Sequence, residues 1–76
     1  MPKKVFKSSL ITLAEYDPRS EQLTLELADG TRYRYYQVPP NIWKSLIRAS
    51  STGKYAATNI MRGHFASRKL RSANSA

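Results

Sequence analysis

The sequence predicts an α+β domain in which a three-stranded antiparallel β-meander is followed by two short helices on one sheet face (β-β-β-α-α). Apolar and polar residues alternate with a period of two through residues 22–38, which is typical of strands with one buried face. Val38-Pro39-Pro40 then ends the strand pattern, because proline cannot donate to a ladder. Apolar residues at helical spacing follow, and this order of strands before helices indicates the α+β class.

The central hairpin is built from the two strands within residues 22–38. A three-residue loop that ends with Gly30 in the left-handed conformation pairs Leu25 with Tyr33 and Glu26 with Arg32. A two-residue turn would mix leucines and arginines on one face, so the pattern favours the longer loop. The predicted core therefore includes the tyrosines at 33 and 35. The side chains that this register sends to the outer face are Arg32, Arg34 and Tyr36.

The first strand is predicted over residues 9–16. Aligning Leu13 with Leu25 and Ile11 with Leu27 buries the apolar residues of both strands, with Glu15 falling inward near the strand end. The same alignment places Tyr16 on the outer face, in one row with Gln22 and Tyr36. The segment Asp17-Pro18-Arg19-Ser20 supplies the turn to the second strand, since Asp and Pro stand at the first two positions of a type I turn.

Two helices are predicted after the sheet. The first begins at Pro40 and carries Trp43, Leu46 and Ile47 on its apolar stripe, with Lys44 and Arg48 on the opposite stripe. This apolar stripe should cover the leucine and tyrosine face of the sheet, with Trp43 as the largest contributor.

The second helix is predicted from Lys54 to about Gly63, with Ala56 and Ile60 directed inward. The backbone amides at its start, together with Lys54, could hold one phosphate.

Length and composition predict a single domain. The 76 residues divide into a basic N-terminal arm (1–7), the folded domain (8–65) and a disordered basic C-terminal tail (66–76) that contains Arg68, Lys69 and Arg71. The absence of cysteine excludes disulfides and thiolate chemistry. The first residues lack a long apolar run, so we expect no signal peptide, no membrane span and a cytoplasmic location.

The net charge is +8, from 13 Lys and Arg against 5 Asp and Glu. Residues 8–29 hold all five acids, whereas residues 30–76 hold nine basic groups and no acid. This asymmetry indicates a directional field that attracts polyanions, and RNA or DNA is the expected partner. A uniformly solubilising charge is the alternative.

Several short motifs occur in a characteristic order. They are Ser8-Ser9-Leu10-Ile11, Glu15-Tyr16-Asp17, Leu23-Thr24-Leu25, Tyr33-Arg34-Tyr35 after Gly30, Val38-Pro39, Ser51-Thr52-Gly53-Lys54-Tyr55 and Asn59-Ile60. In this order the chain resembles the KTSC domain family, whose members occur alone and at the C-terminus of some lysyl-tRNA synthetases. The resemblance carries no established activity and implies nucleic acid only by that association. The chain departs from the family pattern at Ala56 and Ala57, where an aromatic and then a polar residue are expected.

Catalytic chemistry is poorly supplied. The chain has one histidine, His64, and its five carboxylates are confined to the predicted strands and turns, so no catalytic triad or metal site is indicated. His64 is interpreted as a helix-terminal or packing residue. We therefore predict a protein that is not an enzyme and has no cofactor, with an unrecognised hydrolase as a remote alternative.

The predicted function is a small accessory domain that binds RNA or single-stranded DNA through a basic and aromatic sheet surface. The outer-face residues could equally be ordinary cross-strand packing, with Glu26 neutralising Arg32. The competing hypothesis is a protein-interaction or homodimerisation module that uses the same face or an open edge strand. The residues assigned to nucleic-acid binding are Tyr16, Arg32, Arg34, Tyr36, Lys44, Arg48, Lys54 and Arg62.

Overall fold

The computed structural model describes residues 3–5 and 10–71, with side chains described for residues 10–70. The strands β1 to β5 form one antiparallel sheet in sequence order, and both helices lie between β4 and β5 in the chain. The α+β class is confirmed, with five strands in place of the predicted three. The elements are β1 (Lys3–Val5), β2 (Ile11–Asp17), β3 (Gln22–Leu27), β4 (Arg32–Tyr35), α1 (Pro40–Arg48), α2 (Thr52–Asn59) and β5 (Ser67–Arg71).

The β3–β4 hairpin has the predicted register. Leu25 pairs with Tyr33 and Glu26 with Arg32. The loop of three residues ends at Gly30, whose φ of 91° lies in the left-handed region that glycine adopts without strain. The amide of Leu27 donates to the Thr31 carbonyl at 2.8 Å, which closes the loop. The face assignment of β4 is therefore confirmed, with Tyr35 buried in the core.

The predicted β2–β3 register is wrong beyond its first pair. Ile11 does pair with Leu27, but Leu13 pairs with Glu26, so Thr12 is an extra residue in a β-bulge. A one-residue shift exchanges the two faces of the strand. Tyr16 turns into the core and is only 1% exposed, which contradicts its predicted place on the outer face.

The bulge improves the burial of β2. In the predicted register Glu15 would face the core, where an unpaired carboxylate is costly. In the structure Glu15 pairs with Thr24, and it is Ala14 and Tyr16 that are buried. The hydroxyl of Tyr16 donates to the Val38 carbonyl at 2.6 Å, so its polar atom is satisfied inside the core.

The helices cover the inner face of the sheet, and the core joins all these elements. α1 begins at Pro40 as predicted and buries Trp43 and Leu46. α2 ends at Asn59, four residues before the predicted end, and the amide of Ile60 still bonds to the Ala56 carbonyl. The buried apolar side chains are Ile11, Ala14, Tyr16, Leu23, Leu25, Tyr35, Val38, Trp43, Leu46, Ala56 and Ile60.

The two edge strands correct the predicted domain limits. Lys3–Val5, placed in an unstructured arm, forms β1 and pairs with β2. Ser67–Arg71, placed in a disordered tail, forms β5 and pairs with β4. Both segments are charged and lack apolar alternation, as edge strands often do, so local pattern could not reveal them. Residues 1–2, 6–9 and 72–76 of the predicted arm, domain and tail lie outside the described part of the chain.

Candidate nucleic-acid interface

The face of the sheet opposite the helices, here called the outer face, has opposite charges on its two sides. Residues that pair directly across strands share a face. Glu15 on β2 therefore lies in one row with Thr24, Arg34 and Arg68. The acids of this face are on β2 and β3, whereas the arginines are on β4 and β5.

Arg34 and Arg68 are directly opposite each other on β4 and β5. Arg34 is half-buried and Arg68 is exposed. The Nε of Arg34 is 3.5 Å from the hydroxyl of Thr24, a long and weak hydrogen bond. Within residues 10–70 neither of these two arginines forms an ion pair. Two like charges opposite each other destabilise a sheet, and an anion bound between them would relieve that repulsion.

Arg32 has a different environment from Arg34. Its Nε donates to Oε1 of Glu26 at 2.7 Å, and the two groups form an ion pair. The hydroxyl of Thr12 contacts the other oxygen of this carboxylate, Oε2, at 3.4 Å and the Glu26 carbonyl at 3.3 Å. The bulge in β2 thus brings Thr12 to the carboxylate that neutralises Arg32.

Only one of the two predicted outer-face tyrosines remains available. Tyr16 stacks on Trp43 in the core, with ring centroids 5.7 Å apart and planes 11° from parallel. Tyr36 follows the buried Tyr35, is half-buried, and donates its amide to the Ala66 carbonyl at 2.9 Å. Strand alternation directs its ring to the outer face, next to the row of Arg34.

The remaining predicted binding residues are not close to this face. Lys44 and Arg48 are exposed on α1, whose other side packs on the inner face of the sheet. Arg62 is exposed in the turn after α2. A short ligand on the outer face cannot contact these three side chains, so the predicted set of eight does not form one surface.

Lys54 lies on a separate groove beside α2. The groove has a volume of about 360 Å³ and is lined largely by hydroxyl and amide side chains. Ser51 at the helix N-cap makes no side-chain capping bond. The phosphate site predicted at this helix start stays a prediction. The groove is lined by Ala49, Ser50, Ser51, Lys54, Tyr55, Thr58 and Asn59.

Arg68 is the interface residue that the sequence-based site did not include. It was assigned to the tail, since the segment Ser67–Arg71 has no apolar period. Its partner strand, β4, is separated from it by both helices, so the pairing is non-local. The excess of cations after residue 30 was the available signal, but it carried no information about position.

Other kinds of site find little support in the described residues. Among them, no three His, Asp or Glu residues are close enough to hold a metal ion. His64 is exposed and its Nε2 lies 3.1 Å from the Thr58 carbonyl, as expected for a residue that stabilises a helix end. Neither helix of the described chain is long and apolar enough to cross a membrane.

The fold and the surface define a small basic α+β domain with a cationic strip on an open sheet face. The family model of the KTSC domain matches residues 7–65. The chain therefore belongs to the KTSC domain family, as the sequence motifs indicated.

Similar proteins include free-standing chains of comparable size. The chain is 43% identical over 49 residues to a protein of Tsukamurella paurometabola, covering 64% of this chain and 73% of that protein. It is 34% identical over 55 residues to an uncharacterised protein of Stutzerimonas stutzeri, covering 72% of this chain and 78% of the relative.

Two further comparisons extend this picture. A lysine–tRNA ligase of Nostoc sp. is 37% identical over 49 residues, which are 64% of this chain but 9% of the ligase. The crystal structure of a KTSC domain protein from Yersinia pestis superposes with a TM-score of 0.83 at 26% identity, covering 92% of this chain and 97% of the other.

The structure gives a physical reading of one departure from the family pattern. Ala56 stands where an aromatic residue was expected, and its side chain is fully buried in the core. Position 56 is therefore a packing position in this chain, so its change from an aromatic residue alters the core. Ala57 is half-buried on the same helix.

Proposed function

We propose that this chain is a small nucleic-acid-binding domain that contacts the phosphates of RNA or single-stranded DNA through the outer face of β4 and β5. The observation that carries the proposal is the Arg34–Arg68 pair, two arginines directly opposite each other with no ion-pair partner within residues 10–70. The guanidinium group matches phosphate geometry through paired N–H donors.

Charge and chemistry along β4 and β5 support a polyanion as the ligand. Beyond the Arg34–Arg68 pair, the register places Arg71 opposite Arg32. The net charge of +8 raises the local concentration of any polyanion and makes its binding dependent on salt. Tyr36 adds one ring on which a base can stack, which is worth about 1–3 kcal/mol in single-strand binding.

The comparison with lysine–tRNA ligases favours RNA among the polyanions. A segment similar to this chain occupies 9% of a protein whose name states that it acts on tRNA. A cytoplasmic location and a non-enzymatic role accompany this proposal. The alternative, a protein-interaction or homodimerisation module, relied on Tyr16 as an interface aromatic, and Tyr16 lies in the core.

Fluorescence anisotropy with labelled single-stranded RNA and DNA oligomers tests the proposal. With two phosphates contacted, affinity should fall roughly sevenfold between about 50 and 200 mM salt. Arg34→Ala and Arg68→Ala should each weaken binding about fivefold, the factor for one charge pair at contact distance in water.

Lys44→Ala is the matched control, because it removes the same unit of charge from an exposed position on α1. It should change the affinity by less than about twofold, since exposed charges beyond a Debye length are screened. The proposal fails if no oligomer binds at low salt, or if all three variants weaken binding equally.

A further inference from the structure

Glu26 has a charge that opposes the proposed ligand, yet it lies in the centre of the outer face. It pairs with Arg32 on β4, next to the row that contains Arg34 and Arg68. The side chains of Arg32 and Glu26 are 38% and 28% exposed, so both remain within reach of a ligand in solvent.

The contacts of Glu26 hold its carboxylate in place against Arg32. One oxygen accepts from the Nε of Arg32 at 2.7 Å, and the other is 3.4 Å from the Thr12 hydroxyl. Because Thr12 is the extra residue of the β2 bulge, this contact exists only in the bulged register. The bulge thus fixes the position of a carboxylate on the face that would receive phosphates.

We propose that Glu26 is an affinity-limiting residue, an intramolecular carboxylate that occupies Arg32 and excludes it from phosphate contacts. This inference rests on the proposed function and specifies how its site is regulated. A phosphate brought to the Arg32 guanidinium would lie beside the carboxylate and be repelled by it. The carboxylate is already in place, whereas a phosphate from solution loses translational freedom on binding.

Two consequences follow for the ligand. Its contacts are restricted to the Arg34–Arg68 end of β4 and β5, and its affinity is lower than three exposed arginines would give. Removal of the Glu26 charge would add Arg32 to the contact set, which would then extend toward the hairpin loop.

The test is a double-mutant cycle of Glu26→Gln and Arg32→Ala, with anisotropy titrations of a labelled single-stranded RNA over a range of salt. Glu26→Gln should tighten binding about fivefold, by one contact-distance charge pair. It should also steepen the slope of log affinity against log salt by about 0.7, for one added phosphate contact. Arg32→Ala alone should change affinity by less than about twofold, but should abolish the gain in the Glu26→Gln background.

Glu21→Gln is the matched control, because it removes the same charge about 16 Å further along β3, beyond a Debye length at moderate salt. Circular dichroism spectra should show that all the variants are folded. Equal tightening by Glu26→Gln and Glu21→Gln would overturn the assignment of Glu26. So would a loss on Arg32→Ala as large as that on Arg34→Ala in the wild-type background. Absence of wild-type binding would instead overturn the proposed function, and this inference with it.

Discussion

Tyr16 stacks on Trp43 with ring centroids 5.7 Å apart, and this contact joins the β2 strand to the first helix. The hydroxyl of Tyr16 reaches across the core to the Val38 carbonyl, just before the helix begins. Burial, and secondarily the nearby charges of Glu21 and Asp17, raises the pKa of Tyr16 above its ordinary value. A residue whose alternation suggested a ligand platform is therefore a central part of the core.

Tyr16→Phe should lower the free energy of unfolding by about 1–3 kcal/mol, because it leaves the buried Val38 carbonyl without its donor. Tyr36→Phe is the control and should change stability by less than about 0.5 kcal/mol. Urea unfolding followed by circular dichroism measures both. Equal stability of the Tyr16→Phe variant and the wild type would contradict the assigned hydrogen bond.

Trp43→Ala is the more severe change at the same contact. It should cost about 3–5 kcal/mol, since it removes the stacking partner of Tyr16 and leaves a cavity. A domain of 76 residues has little stability in excess of that loss, so the variant should be largely unfolded in the same experiment.

A chain shortened to end at Ala66 should be less stable than the full chain by roughly 2 kcal/mol or more, because the hydrogen bonds between β4 and β5 are lost. The control is a chain that ends at Ser72, which keeps β5 and should match the full chain. Urea unfolding of the three chains decides the point. If the chain ending at Ala66 were as stable as the other two, the tail would not be part of the sheet.

Gly30→Ala should destabilise the domain by roughly 1–2 kcal/mol, since alanine is strained at the positive φ of this loop position. Ala28→Ser, at an exposed position in the same loop, should remain within about 0.5 kcal/mol of the wild type. Thermal and urea unfolding both report this difference. A neutral Gly30→Ala change would contradict the three-residue loop that fixes the hairpin register.

Acid should destabilise the domain through two turn carboxylates. The Arg19 amide lowers the pKa of Asp17, and the Thr31 amide lowers the pKa of Asp29. Because each folded pKa lies below the unfolded value of about 3.9, the stabilisation is complete above that pH and is lost as the pH falls through the folded values.

The double variant Asp17→Asn with Asp29→Asn keeps an oxygen acceptor at both turns but removes their titration. Urea unfolding at pH 7 and at about pH 3 should show a smaller acid loss for this variant than for the wild type. An identical acid loss in both proteins would mean that other carboxylates account for the whole effect.

Much of the fold was predictable where the determining contacts are close in sequence. Gly30 and the alternation on either side of it fix the hairpin, and Pro40 marks the start of α1. The β2 bulge was not predictable, because burying Leu13 and burying Tyr16 are both compatible with the local pattern. Its outcome depends on Trp43 and Val38, which are distant in sequence.

The candidate site divides in the same way. Arg32, Arg34 and Tyr36 follow from the hairpin register, and the structure keeps the arginines on the outer face. Tyr16 was lost to the core with the bulge, and Arg68 was gained through β5. The neutralisation of Arg32 by Glu26 was one of the two sequence-level alternatives, and the ion pair is present at 2.7 Å.

The central claim is that nucleic acid contacts the outer face of β4 and β5. Amide chemical-shift mapping during addition of a short single-stranded RNA tests it most directly. The expected result is a contiguous set of shifts at Arg34, Tyr36, Arg68 and Lys69, with little change at Lys44 and Arg48. Shifts confined to α1, to the α2 groove or to the chain termini, with β4 and β5 unaffected, would contradict it.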